Sequence, residues 1–249
     1  MRHVGRAGPV TVMSARTLDR AQPRRRRQES PQWAPFLPRA ADARTNGVGK
    51  AIGEITSGKA VILLGDSEQA GEADLVFAAA LSTTALMAAC VRLTSGLVGV
   101  ALSSDRCDQL RLPPQHWSQF GERRPQCVAV DAVGVGTGIS AADRSQTARL
   151  LANPGAKVEQ LTRPGHVIPL RAGVGSDYVD AAVRLAVLAG LPGAAVVSRL
   201  VSEEAPTGMA QGPEIYRIAS RHQLCTVTVA EILEYGAPSS PRHLAPASA

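Results

Sequence analysis

The stretch LLGDSEQAGEADLVFAA, residues 63–79, sets four carboxylates, Asp66, Glu68, Glu72 and Asp74, between two apolar runs. Carboxylates crowded at the end of a strand can hold a hard divalent cation, which takes oxygen ligands, or move protons as general acid and base. The same composition suits a solvated turn. Residues 128–144, VAVDAVGVGTGISAADR, place Gly134, Gly136, Thr137 and Gly138 ahead of a helix that Ser140 can cap. Glycines there let backbone amides approach an anion, and a helix N-terminus adds partial positive charge, so the loop can cradle phosphate. It is a poor dinucleotide fingerprint, because its third Gly comes too early for GxGxxG. A tight turn capped by Ser140, with Asp143 in the first helical turn, accounts for the same residues, and spacing leaves both readings open. In TRPGHVIPLRA, residues 162–172, a Pro-Gly turn entering a strand brings Arg163, His166 and Arg171 within reach of one ligand. His would be the acid or base and Arg the phosphate clamp. Cys107, in DRCD, is of a type that is usually a small buried hydrophobe.

These residues must be positioned by a scaffold, and its elements are legible. NGVGKAIGEITSG (46–58) has apolar residues at helical spacing, and KAVILLGD is a buried strand closed by Gly65. ADLVFAAALSTTALMAACVRLTSG reads as a strand turning into a helix, with Ser82 as its cap and Gly96 as its stop. A strand in LVGVALSS precedes a short helix in SDRCDQLRLPP, and QCVAVDA is a further strand. SAADRSQTARLLA is a helix, VIPLRA a strand, YVDAAVRLAVLAGL a helix and GAAVVSRLV a strand. GPEIYRIASRHQL is a helix, and CTVTVAEILEY ends the series with a strand and a short helix. Alternation of this kind predicts an α/β fold in a single domain over residues 47–235.

The chain has 249 residues, 45% of them hydrophobic, and a net charge of +6. The charge is local. Residues 1–46 hold ten Arg, no Lys and three acids, which gives that segment +7 and leaves the rest at −1. Such a segment is expected to be a disordered basic leader, binding nucleic acid at most nonspecifically, and the Pro/Ser/Ala-rich residues 236–249 a disordered tail. No apolar h-region marks a secretory signal, and no run approaches the ~18 apolar residues of a membrane span. Four widely spaced cysteines without CxxC point away from zinc and towards reduced thiols in the cytoplasm. With 3% aromatic residues there is no stacking platform for single-stranded nucleic acid.

Six stretches, in order, resemble one family: GKAVILLGD with EADLVFAA, TSGLVGVALSSDRCDQLRLP, GTGISAADRSQT, RPGHVIPLRA, DAAVRLAVLAG and TVAEILEY. Together they resemble 3,4-dihydroxy-2-butanone 4-phosphate synthase of riboflavin biosynthesis, over about residues 47 to 235. The resemblance implies a homodimeric α/β fold with active sites at the subunit interface. It implies an enzyme that converts ribulose 5-phosphate, with magnesium, to formate and dihydroxybutanone phosphate. By that resemblance, the GTP cyclohydrolase II domain often fused in the family is not expected in the few residues beyond Tyr235.

The acidic turn departs from the family. The metal-binding Glu position is Ala70 and the substrate-binding Arg before it is Gln69, whereas Glu72 and Asp74 match. The second metal ligand, a His, is replaced by Tyr178, with Asp180 at the Glu two residues on. An essential Glu in a later strand becomes Arg199, whose added charge would favour an anion. What remains, by the resemblance, is His166 and Cys107 as catalytic residues, with Asp74, Thr137, Ser140 and Arg163 on the substrate. No metal ligands remain. The expectation is a degenerate member that binds a phosphorylated sugar as a homodimer and turns over little or none of it. The alternatives are relocated ligands, with Glu68 and Asp66 serving magnesium, or a non-catalytic partner of an active synthase.

Overall fold

The computed structural model describes residues 43–65, 71–115, 125–173 and 177–236. Residues 1–42 of the segment read as a leader and 237–249 of the tail lie outside them, as do Asp66, Ser67, Glu68, Gln69 and Ala70; residues 43–46, expected in the leader, instead open the first helix.

Short apolar runs become strands, most of them covered on both faces, whereas the longer Leu161–Arg171 is largely exposed in its first half. They are β1 (Val61–Leu64), β2 (Ala73–Ala78), β3 (Gly99–Leu102), β4 (Val130–Ala132), β5 (Leu161–Arg171), β6 (Ala194–Arg199) and β7 (Cys225–Thr228). They form one mixed sheet in the order β4-β5-β3-β6-β2-β1-β7. β1 and β2 are an antiparallel pair in which Leu63 faces Asp74, so Asp74, the last of the four carboxylates, lies within the ladder.

Among the described residues seven helices cover the sheet: α1 (Ala43–Thr56), α2 (Thr84–Leu93), α3 (Ser104–Gln109), α4 (Ala141–Ala152), α5 (Asp177–Leu188), α6 (Pro213–Arg221) and α7 (Val229–Glu234). Side chains alternate across a strand, which sorts the core into two. Ile62, Leu75, Phe77, Val100 and Val196 pack with α2, α3, α4 and α6. Val61, Leu63, Val76, Ala195 and Val197 pack with α1, α5 and α7. Each large side chain so buried contributes about 1.5–3 kcal/mol. No helix among the described residues is long and apolar enough to cross a membrane.

Two local expectations are corrected. Thr83, not Ser82, caps α2, its side chain accepting from Leu86 N–H at 3.1 Å. Ser82 instead is buried, with its hydroxyl bonded to that of Ser145. β5 also begins earlier than expected. Leu161 to His166 is extended backbone paired with β4 through a register shift at Val130/Asp131, not a turn ahead of the strand. Pro164, which offers no N–H to a ladder, is accommodated in this irregular stretch and follows a cis peptide bond.

Candidate functional site

Gly99 pairs with Ile168 on one side and with Val197 on the other. Continuing both registers by two residues puts His166 and Arg199 at the same end of the sheet, on the strands flanking β3. Their backbones are thus about 10 Å apart, two strand spacings. Two polar groupings are built there.

The first surrounds His166. Its Nδ1 lies 2.8 Å from Asp131 Oδ2, and its backbone N–H donates to Asp131 Oδ1 at 2.9 Å. Asp131 is buried, whereas the imidazole side chain is 43% exposed. A carboxylate that grips both the ring and the backbone fixes the ring's orientation, leaving Nε2 as the nitrogen that can exchange a proton with a ligand. Gly138 closes over this pair. A Cβ there would lie 2.0 Å from Asp131 Oδ2 and 2.7 Å from His166 Nδ1, and its φ is +80°. Asp131 was not anticipated. Its signal was a lone acid inside the apolar strand VAVDAV, where a buried carboxylate must find a donor.

The glycine loop is held from within. Asp143 accepts from Gly136 N–H at 3.3 Å and Gly138 N–H at 3.1 Å, and its own N–H donates to Ser140 Oγ at 3.0 Å. Burial opposes ionisation of Asp143, but the hydrogen bonds from Ser140, Gly136 and Gly138 outweigh it and hold the carboxyl below its ordinary value. The amides expected to cradle phosphate therefore already serve a carboxylate. Ser140 is confirmed as the cap of α4, and Thr137 is exposed beside it.

The second grouping surrounds Asp74. Asp74 and Arg199 are cross-strand partners on β2 and β6. Arg199 Nε donates to Asp74 Oδ1 at 2.9 Å and Nη2 to Oδ2 at 3.4 Å, while Nη1 pairs with Glu72. The guanidinium carbon lies 5.4 Å from the centroid of the Tyr178 ring, a cation–π distance. Tyr178 OH donates to Leu63 O at 3.3 Å. Burial pushes the Asp74 carboxyl up, to about 7, against a hydrogen bond from Tyr178. The charge on Arg199 is thus spent inside the protein and is not offered to an anion, contrary to expectation. Magnesium needs converging oxygen ligands with space between them. Here a guanidinium fills that space, and among the described residues no group of three or more His, Cys, Asp or Glu could hold a metal. The donors that the described residues present at this point do not fit the ion.

Three expected site residues are engaged in contacts within the fold. Cys107 is fully buried on α3, and its hydrogen bond with Cys127, together with burial, pushes its thiol above the ordinary value. Arg163 Nη2 donates to Leu110 O at 2.9 Å and Arg111 O at 3.2 Å, tying β5 to the end of α3. Arg171 lies five residues beyond His166 on the same strand, roughly 17 Å away, paired with Asp108 at 2.6 Å.

The family model for 3,4-dihydroxy-2-butanone 4-phosphate synthase matches residues 49–235. Riboflavin biosynthesis protein RibBA of Mycolicibacterium gilvum is 42% identical over 199 residues, covering 77% of this chain and 47% of the relative. The corresponding protein of Salinispora arenicola is 42% identical over 193 residues, covering 75% and 46%. The chain therefore spans about half the length of these relatives. Among solved structures, the 3,4-dihydroxy-2-butanone 4-phosphate synthase of Candida albicans superposes with a TM-score of 0.70 at 35% identity, covering 77% of this chain and 97% of that one. A synthase in complex with two magnesium ions gives 0.69 at 34% identity, covering 76% and 96%.

Proposed function

The chain belongs to the 3,4-dihydroxy-2-butanone 4-phosphate synthase family, and on that premise we propose that it is a degenerate member. It keeps the family fold and an oriented imidazole, and it lacks the magnesium-dependent lyase reaction. The observation that carries this reading is the closed ion pair of Arg199 with Asp74 and Glu72 under the Tyr178 ring. Turning a phosphosugar into formate and a four-carbon phosphate requires a polarised diol and a carboxylate base. Glu72 and Asp74 are engaged by a guanidinium and are poor bases for that purpose.

The ligand in this reading is a phosphorylated sugar, met by His166 Nε2 and the exposed hydroxyls of Thr137 and Ser140. The assembly is a homodimer, supported by Leu97, Val133 and Ile139, which stay 64%, 52% and 57% exposed on loops at the His166 end. A cytoplasmic setting is supported by four cysteines that are all free thiols.

Complementation tests the reading. A riboflavin auxotroph lacking the synthase, supplied with this chain, is expected not to grow without riboflavin. Growth would show that the lyase reaction survives, with ligands relocated into residues 66–70.

A further inference from the structure

We infer that Arg199 is a built-in cation: tethered to β6, it supplies Glu72 and Asp74 with the positive charge they would otherwise draw from a bound divalent ion, so that removing it uncovers a divalent-cation site.

The geometry gives three reasons. Glu72 and Asp74, two residues apart in extended backbone and so on one face, converge on one group, and all three guanidinium nitrogens are used between them. The side chain of Asp74 is only 5% exposed, and a buried carboxylate without a counter-charge is strongly destabilising. The grouping is nevertheless reachable from solvent on its other side, where the side chains of Glu72 and Arg199 are 49% and 33% exposed. Truncating Arg199 would therefore leave two carboxylates facing a water-accessible space, which is the setting a hard cation with partial hydration takes. Tyr178, packed within 3.9 Å of the position a Gly65 Cβ would occupy, walls the space on the α5 side.

This concerns the chain's own charge balance and holds whether or not any lyase reaction survives, so thermal unfolding reads it and turnover does not. The full chain is melted in millimolar MgCl2 and in KCl of matched ionic strength. The wild type is expected to give the same Tm in both. Arg199→Ala is expected to melt roughly 5–15 °C lower in KCl and to regain much of that loss in MgCl2. Adding Asp74→Asn to Arg199→Ala should abolish the magnesium response while raising Tm in KCl, because the uncompensated carboxylate is gone. A wild type that is itself stabilised by magnesium, or an Arg199→Ala variant indifferent to it, would overturn the inference. Should Arg199→Ala fail to fold in either salt, recovery of folding in Asp74→Asn/Arg199→Ala would uphold the charge-balancing role. Failure of that variant too would show that Arg199 acts by packing, and would overturn it.

Discussion

Gly138 is where single-residue geometry most constrains the site. Its φ of +80° is one that L side chains rarely adopt, and the Asp131–His166 pair occupies the volume a Cβ would need. Gly138→Ala should cost about 1–3 kcal/mol from strain alone and should also displace the imidazole. Urea unfolding reads the first effect and the His166 ring resonances the second; an unchanged midpoint with unchanged resonances would contradict the packing described. At this scale the sequence was partly legible. His166 stood out beside a Pro-Gly turn entering a strand, and Asp74 in a cluster of carboxylates between apolar runs. Asp131, the carboxylate of Asp143 on two glycine amides, and the guanidinium of Arg199 on Asp74 were not found. Each bond joins residues whose proximity depends on strand pairing or loop closure, and spacing along the chain does not encode that.

Elements were read more fully than contacts, since apolar periodicity and capping are local. The seven strands and seven helices of the described residues fall where periodicity placed them, apart from the earlier starts of α1 and β5 and the cap of α2. Pro164 and Gly165 signal a turn, yet Gly165 sits so close to β4 that a Cβ would meet Val130 C at 1.9 Å, so the residue serves strand contact. Helix α6 offers a test at this scale. Glu214, in its first turn, accepts from Ser202 Oγ at 2.9 Å and Glu204 N–H at 3.0 Å, pinning the loop after β6. Burial would push its carboxyl up, but the hydrogen bonds from Glu204 and Ser202 prevail and hold it below its ordinary 4.5. The folded state therefore favours the ionised form. Its contribution is fully present above the ordinary value and is lost as pH falls through the lowered one. Glu214→Gln should be less stable than wild type at pH 7, and the gap should narrow below about pH 4.5 in urea titrations. A gap independent of pH would show that the charge is irrelevant.

For the whole molecule, alternation of strands and helices gave the α/β class, whereas the order β4-β5-β3-β6-β2-β1-β7 and its mixture of parallel and antiparallel pairs was beyond reach of local signals. The family resemblance supplied what periodicity could not. The basic charge belongs to residues 1–46, most of which lie ahead of α1, which begins at Ala43. Deleting residues 1–42 should leave the Tm unchanged and abolish any salt-sensitive binding to nucleic acid; a lower Tm would give that segment a structural role. The account as a whole rests on a site end closed by its own ion pair. The direct measurement is formate released from ribulose 5-phosphate by the purified chain, with and without magnesium, beside an active synthase. The expected result is no formate above the enzyme-free control at any magnesium concentration, while formate that rises with magnesium would contradict the account.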